Sequence, residues 1–170
     1  MASISSDSEI IITGADKGIG FEIAKQLVSQ YRDTTFSSEQ RCGAGREGCG
    51  TLKKEGLSVE ALTIDVADDR SVAAAAQTVK SKFSRLDILI NNVLDGFTGG
   101  PSSRALFEQT FSVNVFGAAS TTEAFVPLLE KSAAASCYYP PIWGYRANPT
   151  GPYNFVDGPS YRLSFLAISL

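Results

Sequence analysis

Residues 13–20, Thr-Gly-Ala-Asp-Lys-Gly-Ile-Gly, put three glycines between a run of isoleucines and a segment with helical periodicity. Glycines at such a junction let the backbone approach a pyrophosphate, and the N-terminus of the following helix points free N–H groups at it. One glycine alone would be read as a tight turn needing positive φ. Three in this setting favour the phosphate. The spacing is G-x-x-x-G-x-G, so the generic G-x-G-x-x-G fingerprint is not matched. Other chemistry is excluded by what is missing: the chain has no His, so it can build neither a Ser-His-Asp triad nor a Cys-His pair. Its three cysteines, Cys42, Cys49 and Cys137, cannot make a four-thiolate cage, and no metal is expected.

The elements that must hold this turn follow from the pattern of apolar residues. Residues 9–13 (EIIIT) are a buried strand, and from Gly18 onward Ile19, Ile23 and Leu27, with Ala24, Val28 and Tyr31 beside them, form one face of a helix. Residues 57–66 give a second strand, residues 68–84 an Ala-rich helix with Val72, Ala76, Val79 and Phe83 on one side, and residues 86–92 (LDILINN) a third strand. A long helix is predicted over residues 103–131, with Leu106, Phe107, Phe111, Val115 and Ala119 on its apolar positions. Pro127 should bend it near its end or mark a new turn. Strands alternating with helices predict a parallel sheet with crossover connections.

Two segments break this order. Residues 32–51 contain no Val, Ile or Leu and four Gly, which predicts a loop or a poorly formed strand. Residues 132–159 carry five Pro and three Gly, leaving only a short strand around residues 142–145.

At 170 residues the chain is long enough for one domain with a real core. A net charge of -3 gives no cationic footprint for nucleic acid or an anionic membrane. The polar start MASISSDSE lacks the pattern of a secretory signal, no run reaches the length of a membrane helix, and an odd number of cysteines argues for a reducing compartment. The expectation is a cytoplasmic protein.

The octapeptide resembles the glycine motif of the short-chain dehydrogenase/reductase family, and the likeness continues in order along residues 9–31, 52–131 and 159–168. Asp65 and Val66 resemble the family's pair at the adenine ring, although a lone Asp there is more readily read as the cap of a strand end. Asn91 and Asn92 resemble the first half of its NNAG motif, followed here by Val93 and Leu94; for Asn91 a purely structural role is as good a reading. Asn114 in SVNVFGA resembles the Asn of the family's central helix, and an Asn at mid-helix is unfavourable enough to suggest a buried polar task. SYRLSF at residues 160–165 resembles the catalytic Tyr-x-x-x-Lys, with Phe165 where the Lys should stand.

The resemblance implies a Rossmann-like, doubly wound α/β fold, with residues 1–170 as one NAD(P)-binding domain that is C-terminally incomplete, since the chain ends nine residues after Tyr161. It implies an oxidoreductase interconverting a carbonyl and an alcohol on a small organic substrate. The implied cofactor residues are Gly14, Asp16, Lys17, Gly18, Ile19, Gly20, Asp65, Val66, Asn91 and Asn92. The implied catalytic residues are Tyr161 and Asn114. The Ser that the family sets at the end of its fifth strand has no clear counterpart: the expected positions fall near residues 146–148, with Thr150 the nearest hydroxyl and Ser136 a weaker candidate. A phenol with pKa about 10 is a poor base at pH 7, and a three-unit shift takes about 4 kcal/mol that the family's Lys helps to supply. Phe165 supplies nothing of the kind, and Arg162 points about 100° away on a helix. Activity is therefore expected to be weak or lost. The alternatives are a non-catalytic NAD(P)-binding sensor or interaction module, and a gene-prediction fragment with displaced frames at residues 32–51 and 132–158.

Lys17, with Arg41 or Arg46 nearby in sequence, resembles the basic arrangement that accepts a 2′-phosphate, which favours NADP over NAD. Glu39 has the separation expected of an NAD enzyme's acid, about 20 residues beyond the glycines, but stands in a segment with no strand to position it. Homo-oligomers through the long central helix are usual in the family, and Phe107, Phe111 and Phe116 are candidates for such an interface or for the core.

Overall fold

The computed structural model describes residues 8–30, 35–39, 45–93, 104–132 and 136–138. Strand β1 (Ile10–Thr13) leads into helix α1 (Gly18–Gln30), then β2 (Thr35–Glu39), α2 (Gly45–Lys54), β3 (Val59–Thr63), α3 (Asp69–Phe83) and β4 (Ile88–Ile90). After β4 come α4 (Arg104–Phe111), a π-helical stretch Ser112–Gly117, α5 (Ala118–Leu129) and β5 (Ser136–Tyr138). The five strands are parallel in the order β3-β2-β1-β4-β5. The chain runs outward from β1 through β2 to β3, then crosses back to β4 and on to β5. The crevice between β1 and β4 is thus the point where the order reverses, which is where open α/β sheets bind ligands.

β1 is buried at all four positions because it has a strand on each side and helices on both faces. Its alternating side chains feed two separate cores, as a period of two requires. Ile11 joins Leu62, Ile64, Val72, Val79, Leu89, Phe125 and Leu128 on the face covered by α3 and α5. Ile10 and Ile12 join Ala24, Val28, Cys49 and Leu52 on the face covered by α1 and α2. The α1 stripe that is fully buried is Gly20, Ala24 and Val28. Ile23 and Leu27 pack at its margin, while Ile19 stands 67% exposed, one step off the face the sequence predicts for it.

The strand over residues 57–66 and the helix over residues 68–84 are found, slightly shortened. Asp68 caps α3, accepting from the Arg70 N–H at 3.0 Å, and Ser84 ends it in the left-handed region at φ 66. The long helix over residues 103–131 is found as one rod interrupted by the π-helical stretch. Pro127 lies inside α5, two residues before its end.

The structure corrects the reading of residues 32–51. Thr35–Glu39 form a strand paired to β1 on one side and to β3 on the other, from Thr35↔Val59 to Glu39↔Thr63, and Gly45–Lys54 form a helix. Two partner strands supply the backbone hydrogen bonds that the sequence TFSSE does not advertise by its propensity. β5 lies at Ser136–Tyr138 beside β4; residues 142–145, where the sequence predicts a short strand, lie outside the described residues.

Candidate functional site

The turn that leaves β1 and the segment that leaves β4 meet at the carboxyl ends of the two central strands. Gly14 and Gly18 sit at φ +66 and +59, a conformation that side-chain-bearing residues rarely adopt. Gly20 is required for a different reason: a Cβ there would fall onto both Asn92 Nδ2 and the Gly14 carbonyl oxygen. A Cβ on Gly14 would in turn press on Val93 Cα at 3.1 Å. Three glycines thus do two jobs, shaping the turn and letting α1 close against the end of β4.

Thr13 and Asn92 lock this arrangement. The Thr13 hydroxyl oxygen, at the buried end of β1, accepts from the Asn92 N–H at 2.8 Å and from the Val93 N–H at 3.1 Å. Asn92 Nδ2 donates to the Gly14 carbonyl at 3.2 Å. Thr13 was not among the residues the sequence singles out. Its only signal there is a hydroxyl at the strand end, directly before the first glycine.

Asn91 faces the other way. It is buried and its Nδ2 donates to Thr122 Oγ1 of α5 at 3.2 Å and toward Cys137 Sγ of β5 at 3.6 Å. Thr122 passes the chain on to the Ala118 carbonyl at 2.8 Å. Asn91 therefore ties β4 to α5 and β5, while its Oδ1 is buried without a hydrogen-bond partner among the described residues. Adjacent asparagines serve opposite sides of the strand.

Asp65 and Val66 follow β3. Asp65 donates its N–H to Ser71 Oγ at 2.8 Å and accepts the Ala67 N–H at 3.0 Å, so it caps the turn into α3. Val66 is 3% exposed and belongs to the core beside Val113. The π-helical stretch comes down on it: a Cβ at Gly117 would lie 2.7 Å from the Val66 carbonyl oxygen. Asn114, half-buried, lies in that same stretch. π-Helical turns are rare and frequent at functional positions, because the extra residue re-aims side chains that an α-helix would bury or expose.

Asp16 is half-buried, and Lys17 is exposed at the mouth of the turn beside Ile19. Tyr161 and Phe165 lie outside the described residues, as do residues 146–148 and Thr150. In the described part of β5, Ser136 opens the strand and Tyr138 is its last residue. The turn therefore draws together Gly14, Asp16, Lys17, Gly18, Ile19, Gly20 and Asn92, and Thr13 with them. Asp65 and Val66 form a second pair beyond the carboxyl end of β3, and the π-helical stretch that carries Asn114 meets Val66 through Gly117.

A family model described as short chain dehydrogenase matches residues 8–137. The chain belongs to the short-chain dehydrogenase/reductase family. A short-chain dehydrogenase/reductase of Stachybotrys chlorohalonatus is 38% identical over 135 residues, covering 74% of this chain and 49% of that protein. The (+)-neomenthol dehydrogenase of Arabidopsis thaliana is 36% identical over 146 residues, covering 72% and 49%. Among solved structures, a metagenomic short-chain oxidoreductase in complex with NADP superposes with a TM-score of 0.72 at 25% identity, covering 81% of this chain and 63% of that one. The chain spans about half the length of the curated relatives it matches. Its parallel sheet and glycine turn are those of a short-chain dehydrogenase/reductase Rossmann fold, and no helix among the described residues is long and apolar enough to cross a membrane.

Proposed function

We propose that this short-chain dehydrogenase/reductase domain binds NADP at the turn between β1 and α1, and serves carbonyl and alcohol interconversion on a small organic substrate with little or no turnover. The observation that carries the reading is the turn itself: two glycines at positive φ, and a third whose missing Cβ lets α1 close under Asn92, all at the crevice between β1 and β4. Such a turn leaves the first N–H groups of α1 free for phosphate oxygens. An apolar side chain as exposed as Ile19 beside it supports a ligand that would cover it. A dinucleotide fits these residues.

When bound, the nicotinamide supplies or receives the hydride. In this reading the backbone from Gly14 to Gly20 receives the pyrophosphate, Lys17 offers its charge to the 2′-phosphate, Asp65 and Val66 border the adenine, and Asn92 keeps the turn in shape. Asn91 keeps β4 and β5 in place behind the cofactor. Tyr161 exchanges the proton at the substrate oxygen, and Asn114 supports that exchange. Phe165 stands where the family's Lys would be and carries no charge that could stabilise a tyrosinate, which supports the reading of slow turnover.

Fluorescence titration with NADPH, followed by NADPH consumption against a panel of ketones, tests both halves. Saturable binding with negligible consumption is expected. No binding overturns the reading, and consumption at an ordinary enzyme rate that Tyr161→Phe abolishes overturns the expectation of weak turnover.

One observation favours NAD instead. β2, a strand of the kind the NAD reading of Glu39 requires, runs to that residue, and an acid after the second strand suits the ribose 2′-OH of NAD. Parallel titrations with NADH and NADPH separate the two, with NADPH expected to bind more tightly. Self-association through the central helix finds support in Phe107 and Phe116, which are 51% and 62% exposed. Sedimentation equilibrium of the unsubstituted chain and of Phe107→Ser measures it, and a monomer in both removes the idea.

A further inference from the structure

We propose that Gly48 of α2 is a positioning residue for the dinucleotide turn, holding Asp16 at the height that its neighbours Gly14 and Gly18 need. The inference rests on the NAD(P) reading above. Gly48 is buried, and a Cβ built on it would stand 2.7 Å from the Asp16 carbonyl oxygen, 3.3 Å from its carbonyl carbon and 3.4 Å from its Cα. All three are backbone atoms, so no flexible side chain can swing away to make room.

The contact is reinforced by apolar packing. Cys49 and Leu52, which follow on α2, share one buried cluster with Ala15, the residue before Asp16. The glycine turn is therefore braced from two directions. Asn92 Nδ2 holds its first carbonyl, that of Gly14, from the β4 side, and α2 supports its middle at Asp16 from the opposite side. A turn that must present N–H groups to phosphate oxygens depends on such support, because hydrogen bonds weaken steeply with angle. Raising Asp16 by a few tenths of an ångström re-aims the N–H groups that follow it.

Gly50 supplies the internal comparison. It lies two residues further along the same helix, with nothing within 4 Å of a Cβ built on it. Helix propensity alone makes Ala better than Gly at both positions. Only at position 48 does the added methyl have to displace the turn.

The experiment compares NADPH dissociation constants of the unsubstituted chain, Gly48→Ala and Gly50→Ala, well below their melting temperatures so that global unfolding does not enter. Gly50→Ala is expected to bind like the unsubstituted chain and to melt no lower. Gly48→Ala is expected to bind roughly tenfold more weakly, the scale of loss that a sub-ångström misplacement produces. If Gly48→Ala does not fold, Cys49→Ala withdraws packing from beneath Ala15 without overlapping anything and must also weaken NADPH binding. Equal affinity for Gly48→Ala and Gly50→Ala, or undiminished affinity in Cys49→Ala when Gly48→Ala does not fold, overturns the proposal. Failure of the unsubstituted chain to bind NADPH is a different result: it overturns the NAD(P) reading and the role of Gly48 with it.

Discussion

The same two strands, β1 and β4, are fastened together at both ends of the sheet, and the two fastenings are built from different chemistry. At the carboxyl end the groups are neutral: the Thr13 hydroxyl takes two N–H groups from Asn92 and Val93, and the Asn92 amide takes the Gly14 carbonyl. At the amino end a buried carboxylate does the work. Asp87, 7% exposed, accepts from the Glu9 N–H at 2.7 Å, from Arg85 Nε at 3.2 Å and from the Ser132 hydroxyl. Backbone bonds from Asp87 and Ile88 to the Glu9 carbonyl complete it. The amino end is closed by a charged side chain and its partners, whereas the carboxyl end is held by short neutral groups around glycines whose missing Cβ atoms let the backbones approach. A binding crevice needs the second kind, because every atom spent on fastening there is one that a ligand cannot replace.

The largest effect is expected from adding a side-chain atom at the carboxyl end. Gly20→Ala places a methyl on Asn92 Nδ2 and the Gly14 carbonyl, so either α1 or β4 must move. A loss of about 3 kcal/mol or more follows, with loss of NADPH binding, measurable by urea denaturation and titration. A folded Gly20→Ala that still binds NADPH would break the comparison outright. Asp87→Ala is the matching test at the closed end. Removing a buried acceptor that serves three donors costs about 2–3 kcal/mol, chiefly through the unsatisfied Glu9 N–H, yet NADPH affinity should stay unchanged in the folded fraction.

Thr13→Val sharpens the contrast with a smaller change. The shape is kept and the acceptor lost, leaving the Val93 N–H unpaired and the Asn92 N–H with only the Ile90 carbonyl at 3.1 Å, at a position 1% exposed. A cost of about 2 kcal/mol is expected. Unlike Asp87→Ala, this substitution should also raise the NADPH dissociation constant, since Asn92 carries the disturbance to Gly14. If both variants affect affinity alike, the two ends are not functionally distinct.

The sequence displays these two ends unequally. Gly14, Gly18 and Gly20 were legible because a glycine is informative wherever it interrupts an apolar pattern, and IIIT before them could only be a buried strand. Asn91 and Asn92 were legible as a pair, but not that they face opposite ways, since the direction of a side chain after a strand end depends on the neighbours it meets. β2 was hidden: TFSSE looks like loop because its pairing comes from β1 and β3, and a single segment does not record what its neighbours offer it. Thr13 and Asp87 were hidden for a related reason. Each is a common residue at a strand terminus whose role is defined by a partner far along the chain, Asn92 lying 79 residues from Thr13 and Glu9 78 residues from Asp87. The π-helical turn at Asn114 left no trace in a pattern whose apolar spacing fits a continuous helix almost as well.

The smallest expected effect lies beside the closed end. Ser84 ends α3 at φ 66, the one positive φ outside glycine among the described residues, and the chain passes directly from it through Arg85 to Asp87. A side chain in that region meets a steric cost that glycine avoids, so natural helices favour glycine there. Ser84→Gly relieves the strain but also widens the conformational freedom of the unfolded chain, and the two contributions oppose each other. Relief should exceed the entropic loss, giving a net gain of about 0.5 kcal/mol and a slightly higher melting temperature, with NADPH affinity untouched. Combined with Asp87→Ala, the gain should persist undiminished if the αL turn is locally strained. If it vanishes when the carboxylate is gone, the strain is imposed by the Asp87 fastening, and the closed end has been drawing α3 into a conformation the helix would not otherwise adopt.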